Sequence, residues 1–208
     1  MYRFLLIAGF GFCLLTAAAR AQESAATEQL LNRLDRISYV QGEFSQRQYD
    51  EAGAVLAQSS GAFSLLRPFF FSWEIQSPDR QLIVANAEYL WHYDMDLQTA
   101  TRRPVVGNVE ASPLQILGGD ESALREQYVV TQDSDNRFTL TPNEDGHSFR
   151  RLTVTFAADG IRQMDIIDKL GQRVVVDFEK LDTQTPLTSN DFEFTPPPGD
   201  VDLFYYDD

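Results

Sequence analysis

The chain has 208 residues, enough for a single domain with a sizeable apolar core. Its 17 basic and 31 acidic residues leave a formal net charge of −14. That balance excludes nucleic acid, whose binding rests on neutralising phosphates, and argues against adhesion to an anionic bilayer.

The N-terminus reads as an export signal. Arg3 supplies a positive start, Phe4 through Leu15 an apolar run, and Ala19 and Ala21 the small residues of a cleavage site. Cleavage after Ala21 makes residues 1–21 a signal peptide and 22–208 one exported domain. A membrane anchor is the competing reading, but the run falls short of the roughly 20 residues that a span needs. Cys13, the single cysteine, sits in mid-run behind Phe12, poorly placed for acylation. The exported domain thus has no thiol, and its stability must come from its core.

Gln22–Ile37 predicts an amphipathic helix: Leu30, Leu31, Leu34 and Ile37 form one stripe, with charged and amide residues opposite. Period-two alternation follows. Val40, Gly42 and Phe44 share a face, as do Gly61, Phe63, Leu65 and Arg67, and then Phe69, Phe71, Trp73 and Ile75. Further strands are expected at Gln81–Ala85, Tyr89–Tyr93, Leu97–Arg103, Tyr128–Thr131, Phe138–Thr141, Phe149–Phe156, Ile161–Asp168, Arg173–Glu179 and Asp191–Phe194. Ser112–Gly119, with proline at its first turn and glycines at its end, predicts a second helix, and Glu121–Glu126 a short third. About eleven successive strands joined by turn signals, with helices at two points, predict a mainly β fold. Such a succession fits one antiparallel sheet curled into a barrel or half-barrel, with the helices available to cover one open side.

Catalysis has little support. His92 and His147 stand alone without metal-ligand spacing, and there is no Gly-x-Ser-x-Gly elbow. The pair Asp94/Asp96 and the run Asp133–Asn136 read as solvated turns. No cofactor, metal or enzymatic activity is expected.

The pattern Val40-x-Gly42-x-Phe44-x-Gln46, followed by Gly61-x-Phe63-x-Leu65-x-Arg67-Pro68-x-x-Phe71-x-Trp73, resembles the outer-membrane lipoprotein carrier family, the LolA type. The likeness continues through Pro78, Leu90-Trp91-x-Tyr93-Asp94 and Ser112-Pro113-Leu114-x-Ile116-Leu117 to Phe192-x-Phe194-Thr195-Pro196-Pro197-x-Gly199. Asn86-Ala87-Glu88 departs from it, standing where members usually carry an Asp-Gly turn, and no role is assigned to the aromatic tail Phe204-Tyr205-Tyr206.

The resemblance implies a single incomplete antiparallel β-barrel, a half-barrel with an α-helical lid over a hydrophobic cavity, and a monomeric periplasmic chaperone. It would take acylated lipoproteins from an inner-membrane ABC-type release complex and pass them to an outer-membrane receptor. Cavity-lining residues would be Leu30, Leu34, Phe44, Phe63, Leu65, Phe71, Trp73, Trp91, Tyr93, Leu114 and Leu117. Alternating aromatics and helical leucines fit an ordinary filled core equally well. Arg67 fits either a guanidinium at a cavity rim or a strand-end arginine in solvent; the resemblance implies a latch, bonded to backbone carbonyls of a lid loop. Two other readings remain: a lipoprotein-sensing regulatory domain on a similar half-barrel, and a polysaccharide binder or surface-active enzyme.

Overall fold

A computed structural model describes residues 10–105, 121–144, 146–199 and 201–206. Helix α1, Phe10–Leu34, runs through the expected cleavage position and carries the predicted leucine stripe inward. Leu30, Leu31 and Leu34 are each buried, whereas Asn32, Asp35 and Arg36 are exposed. Among the described residues no helix is long and apolar enough to cross a membrane.

Among the described residues twelve strands follow. They are β1 Tyr39–Tyr49, β2 Val55–Leu66, β3 Phe70–Ser77, β4 Gln81–Ala85, β5 Tyr89–Asp94 and β6 Thr99–Pro104. After a short helix α2, Glu121–Gln127, come β7 Tyr128–Ser134, β8 Arg137–Pro142, β9 Phe149–Ala157, β10 Gly160–Asp168, β11 Arg173–Asp182 and β12 Asp202–Tyr205. All belong to one sheet in the order β12-β6-β5-β4-β3-β2-β1-β11-β10-β9-β8-β7. The sheet stays open, so the expected incomplete barrel is present with β12 and β7 at its two edges.

The alternation that predicted the strands also sorts the faces. Register partners share a face, so Phe63↔Trp73 and Leu65↔Phe71 place the aromatics of β2 and β3 together. Phe44↔Phe178, Met164↔Val176, Val154↔Met164 and Phe138↔Val154 carry the same apolar surface across to β8. Helix α1 packs on β7 and α2, and its leucines join this inner core.

Three local outcomes differ from the sequence reading or extend it. The strand expected at Asp191–Phe194 is instead a 3-10 turn, Ser189–Phe192, because the Asp191 carboxylate accepts from Thr188 N–H at 2.7 Å and from its hydroxyl at 2.9 Å. The Asn86 turn closes without Asp-Gly: its side-chain oxygen accepts from the backbone N–H of Glu88 at 2.9 Å and of Tyr89 at 2.8 Å. The aromatic tail forms β12, which pairs in parallel with β6, and Tyr205 and Tyr89 lie on the Arg102 guanidinium at 4.6 Å and 4.3 Å. The expected helix at Ser112–Gly119 lies outside the described residues.

Candidate binding site

The inner face is built around Trp73. Its ring stacks on Phe44 at 3.6 Å between centroids, and Phe63 and Phe178 lie at 6.1 Å and 6.2 Å. Two glycines make room for this cluster. Gly61 lies opposite Phe44, and Gly42 opposite Phe63, so large and empty positions alternate across the β1–β2 pair. A Cβ on Gly61 would sit 1.8 Å from the Glu74 carbonyl oxygen; one on Gly42 would sit 2.7 Å from that of Glu179 and 3.2 Å from the Phe63 ring. Gly42 thus leaves room for the Phe63 ring, and Gly61 lets the β3 backbone approach β2 closely beside the cluster.

Phe44, Phe63, Leu65, Phe71 and Trp73 are all buried on this face, and Leu30 and Leu34 belong to the same core. Among the described residues, an apolar void of about 20 Å³ opens beside Val40, Leu65, Phe71, Trp73, Phe178 and Leu181. It would hold little more than a water molecule. A fatty chain could occupy this part of the face only if the aromatic cluster moves apart.

Trp91 and Tyr93 are not part of this surface. His92 is the register partner of Ile83, which partners Trp73, so it is His92 that shares the inner face while its two neighbours point to the other side. There Trp91 and Tyr93 pack on Phe194 at 5.3 Å and 5.6 Å, and fully buried Phe192 meets Phe70 at 5.7 Å. Strand β5 turns its aromatic side outward, where the C-terminal segment covers it. Leu114 and Leu117 lie outside the described residues. Phe178 and His92 are inner-face residues that the sequence reading passed over, although Val174, Val176 and Phe178 show the period-two signal that would have found the first.

Arg67 is drawn in. Its side chain is 12% exposed, and Nη1 donates to Asp35 Oδ1 at 3.0 Å. Its backbone N–H donates to the Ser38 carbonyl at 2.9 Å. The bend between β2 and β3 is thereby joined to the end of α1. Among the described residues the guanidinium thus bonds a carboxylate at the end of α1, and residues 106–120, which include the predicted lid helix, lie outside them.

The titratable groups with other readings have local work. His92 Nε2 lies 3.0 Å from the Gln81 amide oxygen, and burial holds its pKa below the usual 6.5. His147 Nδ1 meets the Tyr128 hydroxyl at 3.1 Å. Asp94 accepts from the backbone N–H groups of Asp96 and Leu97, and Asp96 pairs with Arg80, so that acidic pair shapes a turn.

An open, curved antiparallel sheet with an apolar inner face and a helix packed at one side defines the class: a half-barrel built around an apolar interior. A chain of this fold is the uncharacterised conserved protein from Thermus thermophilus, with a TM-score of 0.52 at 13% identity, covering 87% of this chain and 99% of that one. The family model described as outer membrane lipoprotein carrier protein LolA matches residues 35–195, and the chain belongs to that family. It is 31% identical over 187 residues to the outer-membrane lipoprotein carrier protein of Pseudomonas paraeruginosa, covering 88% of this chain and 90% of the relative. It is 33% identical over 180 residues to that of Alkalilimnicola ehrlichii, covering 86% and 84%. This is a family of carriers, not of catalysts.

Proposed function

We propose that this protein is a periplasmic chaperone that carries acylated lipoproteins through water. It receives them from an inner-membrane ABC-type release complex and delivers them to an outer-membrane receptor. The acyl chains lie on the inner face among Phe44, Phe63, Leu65, Phe71 and Trp73, beneath Leu30 and Leu34. The observation that carries this reading is a continuous aromatic and aliphatic inner face in a member of the lipoprotein carrier family.

Energetics supports a closed resting state. Each buried methylene is worth about 0.8 kcal/mol, so full burial of three acyl chains could release tens of kcal/mol, too much for ready delivery. In a face already packed on itself, part of that gain is spent separating Phe44 from Trp73 and the Arg67 bend from α1. Net affinity falls, and the inner-face rings stay out of water in the empty protein.

Native mass spectrometry of the protein purified from its own periplasm tests the proposal. Mass increments of intact acylated lipoproteins are expected. A bound protein without acyl chains would favour a sensor, and bound glycans a polysaccharide binder; either outcome overturns the carrier reading.

A further inference from the structure

The apolar character of the inner face does not extend evenly to β6. Two rows of register partners cross from the aromatic floor toward that side of the sheet. One runs Trp73↔Ile83↔His92↔Thr101, the other Phe71↔Ala85↔Leu90↔Arg103. Both begin in buried aromatic rings and end in polar side chains. At a strand spacing of about 4.8 Å, Thr101 and Arg103 stand roughly 14 Å from the Trp73 and Phe71 positions. Gln81 shares the same face, as the partner of Ile75, and its amide oxygen is engaged by His92 at 3.0 Å. His92, Gln81 and Thr101 are half-buried, so each gives up water for its place on the rim of an apolar surface. Packing alone would be served better there by valine or isoleucine.

We infer that this β4–β6 limb is a polar subsite, in which the Thr101 hydroxyl, the Arg103 guanidinium and the Gln81 amide bind the ester and amide carbonyls of an acylated cysteine. The inference rests on the carrier reading and says which part of the cargo lies where. The chemistry matches group by group. Thr101, Arg103 and the Gln81 NH2 are donors, and with the Gln81 oxygen accepting from His92 Nε2 that NH2 stays available. The carbonyls of a glyceryl ester and of an N-acyl amide are acceptors only. They lie at the head of the chains, as Thr101 and Arg103 lie at the end of the two rows. Hydrocarbon on the floor supplies affinity. The limb fixes which end of the ligand faces outward and separates a lipoprotein from a plain hydrocarbon.

The test uses two synthetic lipopeptides of identical peptide and chain length. One is a tripalmitoylated cysteinyl peptide; the other is its analogue with hexadecyl ethers in place of the glyceryl esters. The wild-type protein is expected to bind the ester form about tenfold more tightly, as one or two hydrogen bonds would give. In the Thr101→Val/Arg103→Leu double variant the ratio should fall to about one, with affinity for the ether form unchanged. Equal binding of both forms by the wild type, or a preserved ratio in the variant, overturns the subsite and leaves the carrier reading standing. Binding of neither form by the wild type overturns both. Near-UV circular dichroism checks folding, and Gln81→Leu gives an independent reading of the ratio should the double variant not fold.

Discussion

Arg67 and Asp35 lie 32 residues apart in the chain, yet their side chains meet at 3.0 Å and tie the β2–β3 bend to the end of α1. The arginine is mostly buried and the carboxylate is 51% exposed, so water screens the pair. Its share in holding the interior closed is at most about 1 kcal/mol. Under the proposed function, Arg67→Leu lowers the cost of opening and favours the loaded state. Loading should proceed, and discharge to an acceptor should slow by about two- to fivefold. A transfer assay in which Arg67→Leu loads and discharges at wild-type rates would remove the latch from the mechanism.

The two tryptophans occupy opposite faces of the sheet, and fluorescence can separate them. Acyl chains entering the inner face must disturb the Phe44–Trp73 stack, whereas Trp91 lies behind the sheet against Phe194. The emission change on adding an acylated peptide should persist in Trp91→Phe and vanish in Trp73→Phe. The reverse pattern would put the ligand on the outer face.

Gly61→Ala is expected to be costly. The added methyl would meet the Glu74 backbone oxygen at 1.8 Å, which no side-chain rotation relieves. A loss above about 2 kcal/mol should appear as a lower urea midpoint. A stability within about 0.5 kcal/mol of wild type would mean that β2 and β3 are not held at this distance.

His92 provides a pH signature of the inner face. Burial lowers its pKa below 6.5; the smaller influence of Asp94 raises it, and that of Arg103 lowers it. Above pH 6.5 the imidazole is neutral folded or unfolded and contributes no pH dependence. As pH falls from 6.5 toward the lowered folded value, the unfolded chain takes up the proton first, and stability declines. An NMR titration of His92 should show a midpoint below 6.5, and His92→Gln should flatten the stability profile in that window. A midpoint at or above 6.5 would place the ring in water.

Much of the fold was legible because alternation is local. Gln81–Ala85 is a strand with the predicted ends, and β7 through β11 each contain the expected segment, since one apolar face per strand leaves a clear period of two. The leucine stripe of α1 was equally plain. Residues 191–194 misled because Phe192 and Phe194 alternate like a strand, while a side-chain bond between Asp191 and Thr188 holds the backbone in a turn. Strand β12 was missed because its residues are all exposed: it carries no buried face, only a pairing partner.

The sequence by itself determined β1 through β11, the leucine stripe and the glycine–aromatic pairs of β1 and β2, because each follows from neighbours a few residues apart. Tertiary structure alone decided which face of β5 looks inward. Trp91 and Tyr93 form the aromatic side of that strand, and alternation alone would turn it toward the core, because it cannot register a second apolar layer behind the sheet. The C-terminal segment, packing Phe192 and Phe194 behind the sheet from about a hundred residues away in the chain, turned Trp91 and Tyr93 outward and left His92 facing in.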